Sequence, residues 1–226
     1  MSSGGCRMRF PAMSLKGAIF DADGVLIDSM PIWDDLGARY LLGLGVEPEE
    51  GLSVELFRLS IEQGCEYMRK HYGLAQSAGE IRAGLLAIVE GFYRHEVRLK
   101  PGVSEFLAAM KARGVPMVIA TAGDRELLTS ALERNGIAGY FAGIFTCTEL
   151  HTTKHDPDIY IACAGFLGLQ PEDVGVFEDS LFALETAKRA GFMTFGVEDD
   201  ASRNDRERIR SAADYYIESF RGGITE

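Results

Sequence analysis

Only four of the 226 residues are cysteine and only four are histidine. The cysteines, Cys6, Cys65, Cys147 and Cys163, form no Cys-x-x-Cys pair. Scattered in a chain this long, they argue against a disulfide scaffold and point to buried thiols in a reducing compartment. No group of histidines and cysteines has the spacing of a zinc site. No apolar run approaches the length of a membrane span. The first 15 residues hold Arg7 and Arg9 but no continuous apolar stretch that would serve as a signal peptide. Met1–Ser14 is expected to be a poorly ordered lead-in, with Met8 and Met13 leaving the true start open, and the cytoplasm is the expected location. Positive charge is also scarce: 23 Lys and Arg stand against 34 Asp and Glu, a net charge of −11. That balance argues against a nucleic-acid partner and against docking on anionic membranes. It leaves phosphorylated substrates open, because a bound Mg²⁺ and one lysine reverse the local field. Internal repeats and low-complexity tracts are absent.

What is present is an ordinary globular composition, 46% hydrophobic and 25% charged. Short apolar runs recur at Lys16–Asp21, Pro116–Thr121, Gly143–Thr146, Val174–Glu178, Met193–Val197 and Asp214–Ile217. Each is bounded by Gly, Asp or Pro, as buried parallel strands are. Amphipathic stretches lie between them, at Val103–Arg113, Arg125–Asn135, Asp158–Leu167 and Ser180–Ala190. The alternation predicts a doubly wound, Rossmann-like parallel α/β sheet with right-handed crossovers.

Residues 30–97 interrupt the alternation. Helical patterns fit Pro31–Leu44, Ser53–His71 and Ala78–Val97, broken at Gly43, Gly45, Gly73 and Gly79. Trp33, Tyr40 and Tyr67 are expected to pack this segment. The expected organisation is a core of residues 15–29 and 98–226 with an inserted helical cap, 30–97. Lys100-Pro101-Gly102 would be the return hinge.

The first run ends in Asp21-Ala22-Asp23-Gly24. Residues i and i+2 of a strand point to one side, so a strand reaching Asp23 would aim both carboxylates at one space. Two such acids suit Mg²⁺ binding combined with nucleophilic and acid–base work. An Asp-x-Asp-Gly start also opens a calcium loop. That loop needs a Glu at its twelfth position, which is Ile32 here, and Val25-Leu26-Ile27 is too apolar for it. In open α/β sheets ligands bind beyond the carboxyl ends of the strands. There the acid pair meets Thr121-Ala122-Gly123, the Thr146–Lys154 loop and Glu178-Asp179-Ser180.

Asp21-Ala22-Asp23-Gly24-Val25-Leu26, Ile119-Ala120-Thr121-Ala122-Gly123, Lys154-His155-Asp156-Pro157-Asp158 and Val176-Phe177-Glu178-Asp179-Ser180, in this order, resemble the four motifs of the haloacid dehalogenase superfamily of phosphohydrolases, over about Leu15 to Ile217. The insert resembles the helical cap of the branch containing β-phosphoglucomutase and sugar-phosphate phosphatases. The resemblance implies Asp21 as nucleophile and Asp23 as general acid and base. It implies Mg²⁺ held by the Asp21 carboxylate, the Asp23 backbone carbonyl and Asp179, with Glu178 ligating directly or through a water. Thr121, Ala122, Gly123 and Lys154 would bind the phosphoryl group.

The pattern departs from the family's at three places. Thr153 and His155 flank Lys154 where Gly and Pro are usual, and Ala183 stands where glycine is common. Ile61 aligns with the arginine that the mutase branch uses for a second phosphate, with Arg58 nearby, which weakens the mutase reading without removing it. A second acid at Asp23 implies phosphate-ester chemistry rather than dehalogenation. The expected activity is Mg²⁺-dependent hydrolysis of a small phosphorylated metabolite. A phosphosugar mutase and a non-catalytic binding module are the alternatives, and substrate identity and oligomeric state stay open.

Overall fold

The computed structural model describes residues 15–221. The lead-in expected at Met1–Ser14 lies outside them. Two compact units emerge: Ser29–Val97, and the remainder on either side of it.

The larger unit is built on a six-stranded sheet: β1 (Gly17–Phe20), β2 (Met117–Thr121), β3 (Phe141–Thr146), β4 (Val174–Glu178), β5 (Met193–Val197) and β6 (Tyr215–Ile217). The order is β3-β2-β1-β4-β5-β6 and all pairings are parallel. The chain therefore leaves β1 in one direction, returns, and continues from β4 in the other. The crevice beside β1 is the switch point at which such sheets bind ligands.

The central strands are buried from end to end. Their two faces carry different side chains. Ile19, Val118, Ala120 and Val176 pack against Ile159, Tyr160, Cys163 and Ala164 of α7 (Asp158–Leu167). The opposite face carries an aromatic row in register, Phe20, Phe177, Phe195 and Tyr215. Adjacent rings stack with centroids 4.3, 4.4 and 5.0 Å apart. Phe106 of α5 (Val103–Ala112) meets Phe20 and Phe177 edge-on. Offset and edge-on pairs of this kind favour one register over its slips, because a slip of one residue would move every ring to the other face. The fixed register sets where the strand ends, and so the site residues, stand relative to one another.

The helical unit holds α1 (Pro31–Gly43), α2 (Leu52–Phe57), α3 (Ile61–His71) and α4 (Ala78–His95). α4 packs on α1 and α3, and α2 on α1. The single helix expected over Ser53–His71 is two. Ser60 starts a new helix through a capping box, its hydroxyl accepting from Gln63 N while Gln63 Oε1 accepts from Ser60 N. This arrangement satisfies two otherwise unpaired amides and fixes the break at Arg58–Ser60. Tyr40 and Tyr67 pack as expected, Tyr40 buried and Tyr67 stacked on His71. Trp33 does not: half of it is exposed. Ile61 is the first residue of α3. The remaining helices, α6 (Arg125–Arg134), α8 (Leu181–Arg189) and α9 (Arg206–Ala212), belong to the larger unit. No helix among the described residues is long and apolar enough to cross a membrane.

Candidate active site

β1 ends at Phe20, so the strand does not carry Asp23, and alternation along it does not align the two acids. Asp21 N still donates to Phe177 O at 2.9 Å, but the chain turns at Ala22. Leu26 N and Ile27 N both donate to Ala22 O (2.9 and 3.0 Å), and Gly24 N donates to Ile27 O (3.0 Å). The turn buries Val25, Leu26 and Ile27, which is why the stretch is so apolar. It also gives the two aspartates separate surroundings.

Asp21 is buried beside Lys154, whose Nζ lies 2.6 Å from Asp21 Oδ1 and 2.7 Å from Glu178 Oε1. Asp23 is half-buried against the β2 end. A Cβ built on Gly123 would lie 3.1 Å from Asp23 Oδ2 and 3.2 Å from Thr121 Oγ1, so glycine gives both the space they occupy. Thr121 is buried and its Oγ1 accepts from Gly123 N at 2.9 Å, while Ala122 is exposed. Gly24 (φ 74°) backs on Asp179 even more closely: a Cβ there would lie 2.5 Å from Asp179 Oδ2. The structure thus brings together Asp21, Lys154, Glu178 and Asp179, and beside them Asp23, Thr121 and Gly123. His155 is exposed and stacks on Phe182.

Burial dominates the electrostatics. It pushes the Asp21 carboxyl up to about 7, with Lys154 opposing and Glu178 and Asp23 adding to the rise. Asp179 is pushed to about 7 by burial and by Asp21. Glu178 is raised by burial and by Asp179, against the pull of Lys154. Burial favours the neutral amine of Lys154, but Asp21 and Glu178 outweigh it and hold the ammonium charged. Asp21, Glu178 and Asp179 each offer an oxygen, all within 4.8 Å of one another. Fully ionised, the three carboxylates against one ammonium leave two negative charges, the complement of one divalent cation. Glu178 Oε2 is buried and has no hydrogen-bond partner among the described residues. A buried carboxylate oxygen without a donor is costly, and a hard cation with oxygen ligands satisfies it. The donor set fits Mg²⁺.

Tyr160, Lys100 and Asp199 support the site, and the sequence did not mark them as site residues. Tyr160 OH donates to Glu178 Oε1 at 2.7 Å. Lys100 Nζ donates to Gly24 O (2.7 Å), Glu198 O (2.5 Å) and Asp199 Oδ2 (2.7 Å), which fastens the acid turn to the end of β5. The only sequence signal for Lys100 was its place in the hinge tripeptide.

Fold and site together define a Rossmann-like α/β protein with carboxylates gathered at its strand ends. The chain belongs to the haloacid dehalogenase-like hydrolase family, whose model matches residues 15–191. It is 28% identical over 194 residues to hexitol phosphatase B of Escherichia coli strain K12, covering 84% of this chain and 87% of the relative. It is 26% identical over 177 residues to a phosphorylated carbohydrates phosphatase of Thermotoga maritima, covering 78% and 82%. A Thermotoga maritima crystal structure provisionally named a beta-phosphoglucomutase superposes with a TM-score of 0.80. It is 25% identical and covers 91% of this chain and 95% of the other.

Proposed function

We propose that the protein is a Mg²⁺-dependent phosphatase acting on small sugar-type phosphate monoesters through an aspartyl-phosphate on Asp21. The observation that carries this reading is the unequal setting of the two acids. Asp21 is buried on Lys154, while Asp23 is half-buried beside Thr121 and Gly123. The phosphatase names of the two curated relatives support the ester class.

In the first half-reaction an Asp21 oxygen attacks phosphorus and the bond from phosphorus to the alcohol oxygen breaks. Asp23 gives its proton to the leaving oxygen. In the second, water attacks the phosphorus of the aspartyl-phosphate and Asp23 takes the proton. Inorganic phosphate leaves and the Asp21 carboxylate is restored. Lys154 favours the ionised form of Asp21 against the effect of burial and offsets charge on the phosphoryl oxygens. Thr121 and the backbone around Ala122 and Gly123 orient them. Asp21, Glu178 and Asp179, with the Asp23 backbone carbonyl, would hold Mg²⁺, which when bound supplies further neutralisation of phosphoryl charge.

The test is phosphate release from a panel of sugar, nucleotide and acid phosphates with and without Mg²⁺. We expect turnover on sugar-type esters, lost to background in Asp21→Asn with an unchanged circular dichroism spectrum. An Asp21→Asn protein that still turns over, or no turnover on any ester, would sink the mechanism. Conversion of β-glucose 1-phosphate to glucose 6-phosphate without net phosphate release would replace the phosphatase with a mutase. Ile61, where the mutase branch has arginine, speaks against that outcome. Any turnover removes the non-catalytic binding module.

A further inference from the structure

We propose that Tyr160 is a positioning residue of the acid cluster: its hydroxyl, together with Lys154, claims one oxygen of Glu178 and leaves the other for the cation. The inference rests on the reading of Glu178 as a cation ligand, and it concerns a residue that the reaction above does not use.

Tyr160 lies in the first turn of α7, and Glu178 is the last residue of β4. Both are fully buried. The tyrosine ring is held by the core, among Ile19, Val176 and Cys163, and meets Phe192 edge-on with centroids 6.1 Å apart. Its hydroxyl therefore has little freedom. Burial and the Glu178 carboxylate both push the phenol's pKa up, so it stays a proton donor. Two donors, Tyr160 OH and Lys154 Nζ, converge on Glu178 Oε1, each at 2.7 Å. Oε2 receives none among the described residues.

That asymmetry has a physical consequence. A carboxylate has about four lone-pair sites on two equivalent oxygens and rotates to share its donors. Two donors fixed on one oxygen, from different elements, stop that rotation. Lys154 is shared, because its Nζ also lies 2.6 Å from Asp21 Oδ1. The phenol is the donor with no second acceptor among the hydrogen bonds of the site. Groups that orient a ligating side chain in this way typically contribute about 10- to 100-fold to metal affinity.

The experiment is calorimetric titration of the full-length, metal-stripped protein with MgCl₂, on wild type, Tyr160→Phe and Asp179→Asn. Phenylalanine keeps the ring and removes only the donor. We expect Tyr160→Phe to bind Mg²⁺ about 10- to 100-fold more weakly than wild type. The Mg²⁺ concentration for half-maximal phosphate release should rise in step, with KM for the ester moving less than about twofold. A Tyr160→Phe protein that binds Mg²⁺ within about twofold of wild type overturns the inference, even if its melting temperature drops, since a merely structural tyrosine would do only that. Tyr160→Leu gives a second reading should phenylalanine fail to fold. The outcome that instead sinks the underlying assignment is separate: wild type that does not bind Mg²⁺, or Asp179→Asn that binds it as wild type does.

Discussion

Asp179→Asn should stabilise the metal-free protein at pH 8, although it removes a residue the proposed activity needs. Burial and Asp21 raise the Asp179 carboxyl from its ordinary 3.8 to about 7. The folded state then holds a proton that the unfolded state has lost. Stability falls with rising pH wherever the native state binds more protons. Relative to the neutral group, Asp179 therefore costs nothing below about pH 4; its penalty grows as pH rises from about 4 to about 7 and is constant above that. A shift of about three pH units corresponds to about 4 kcal/mol at 1.36 kcal/mol per unit. Asp21 titrates together with Asp179, so the two penalties overlap, and about 2 to 4 kcal/mol is the expected size for one substitution. Asparagine resembles the protonated acid in shape and charge. In EDTA, wild type and Asp179→Asn should be close in stability near pH 4.5, and the variant should be about 2 to 4 kcal/mol more stable at pH 8. Saturating Mg²⁺ should reverse the order, because only the cation-binding form gains RT ln(1 + [Mg²⁺]/Kd). Urea denaturation at the two pH values, with and without Mg²⁺, reads all four terms. A variant less stable than wild type at pH 8 in EDTA, or a difference that does not change with pH, would refute the charge argument.

Two other substitutions probe the support of the acid turn. Gly24→Ala demands a left-handed conformation (φ 74°) and a methyl group 2.5 Å from Asp179 Oδ2. It should cost about 1 to 2 kcal/mol of backbone strain and in addition displace Asp179, weakening Mg²⁺ binding measured by calorimetry. Gly136→Ala (φ 72°), with nothing within 4 Å of the new methyl, is the control that should show the strain without the loss of binding. Lys100→Met leaves the buried Asp199 carboxylate without its ammonium at 2.7 Å. We expect a loss of about 3 to 5 kcal/mol in urea denaturation, partly restored by adding Asp199→Asn. A double variant no better than the single one would show that Lys100 acts only through Gly24 O and Glu198 O.

The sheet was legible because buried parallel strands leave a plain mark: apolar runs such as Val174–Glu178 and Met193–Val197, each stopped by Gly or Asp. The site segments were legible for a related reason, since the strand ends are where such a sheet collects its ligands. Periodicity failed where a local hydrogen bond outweighed it. Apolar spacing runs through Leu56, Leu59 and Ile61, yet Ser60 and Gln63 cap a new helix inside that run. The box was readable in the sequence as Ser-x-x-Gln. Alternation likewise failed at Asp23, because Ala22 O accepts two amides and folds the chain into a turn. The supports of the site were not legible at all. Lys100 and Asp199 are 99 residues apart, and Tyr160 and Glu178 are 18 apart on different elements. Spacing within one element carries no information about such pairs; they follow only from the packing of α7 and of the chain after β5.

The turn after β1 also gives two acids so close in sequence the separate settings that the proposed reaction requires. Had the strand continued to Asp23, both carboxylates would have shared one environment and repelled each other more strongly than they do. Instead, Asp21 stays with the strand, 2.6 Å from Lys154, in the buried cluster with Glu178 and Asp179. Asp23 is carried round to Gly123 and Thr121 and is half-exposed. The burial of Val25, Leu26 and Ile27 anchors that turn from below, and Lys100 holds its Gly24 carbonyl from the side. A nucleophile needs a fixed position near compensating charge, whereas an acid–base group needs contact with the leaving oxygen and with water. In this chain the difference in setting rests on a backbone turn more than on the identity of either aspartate. Loosening the turn should therefore harm proton transfer and nucleophilic attack together.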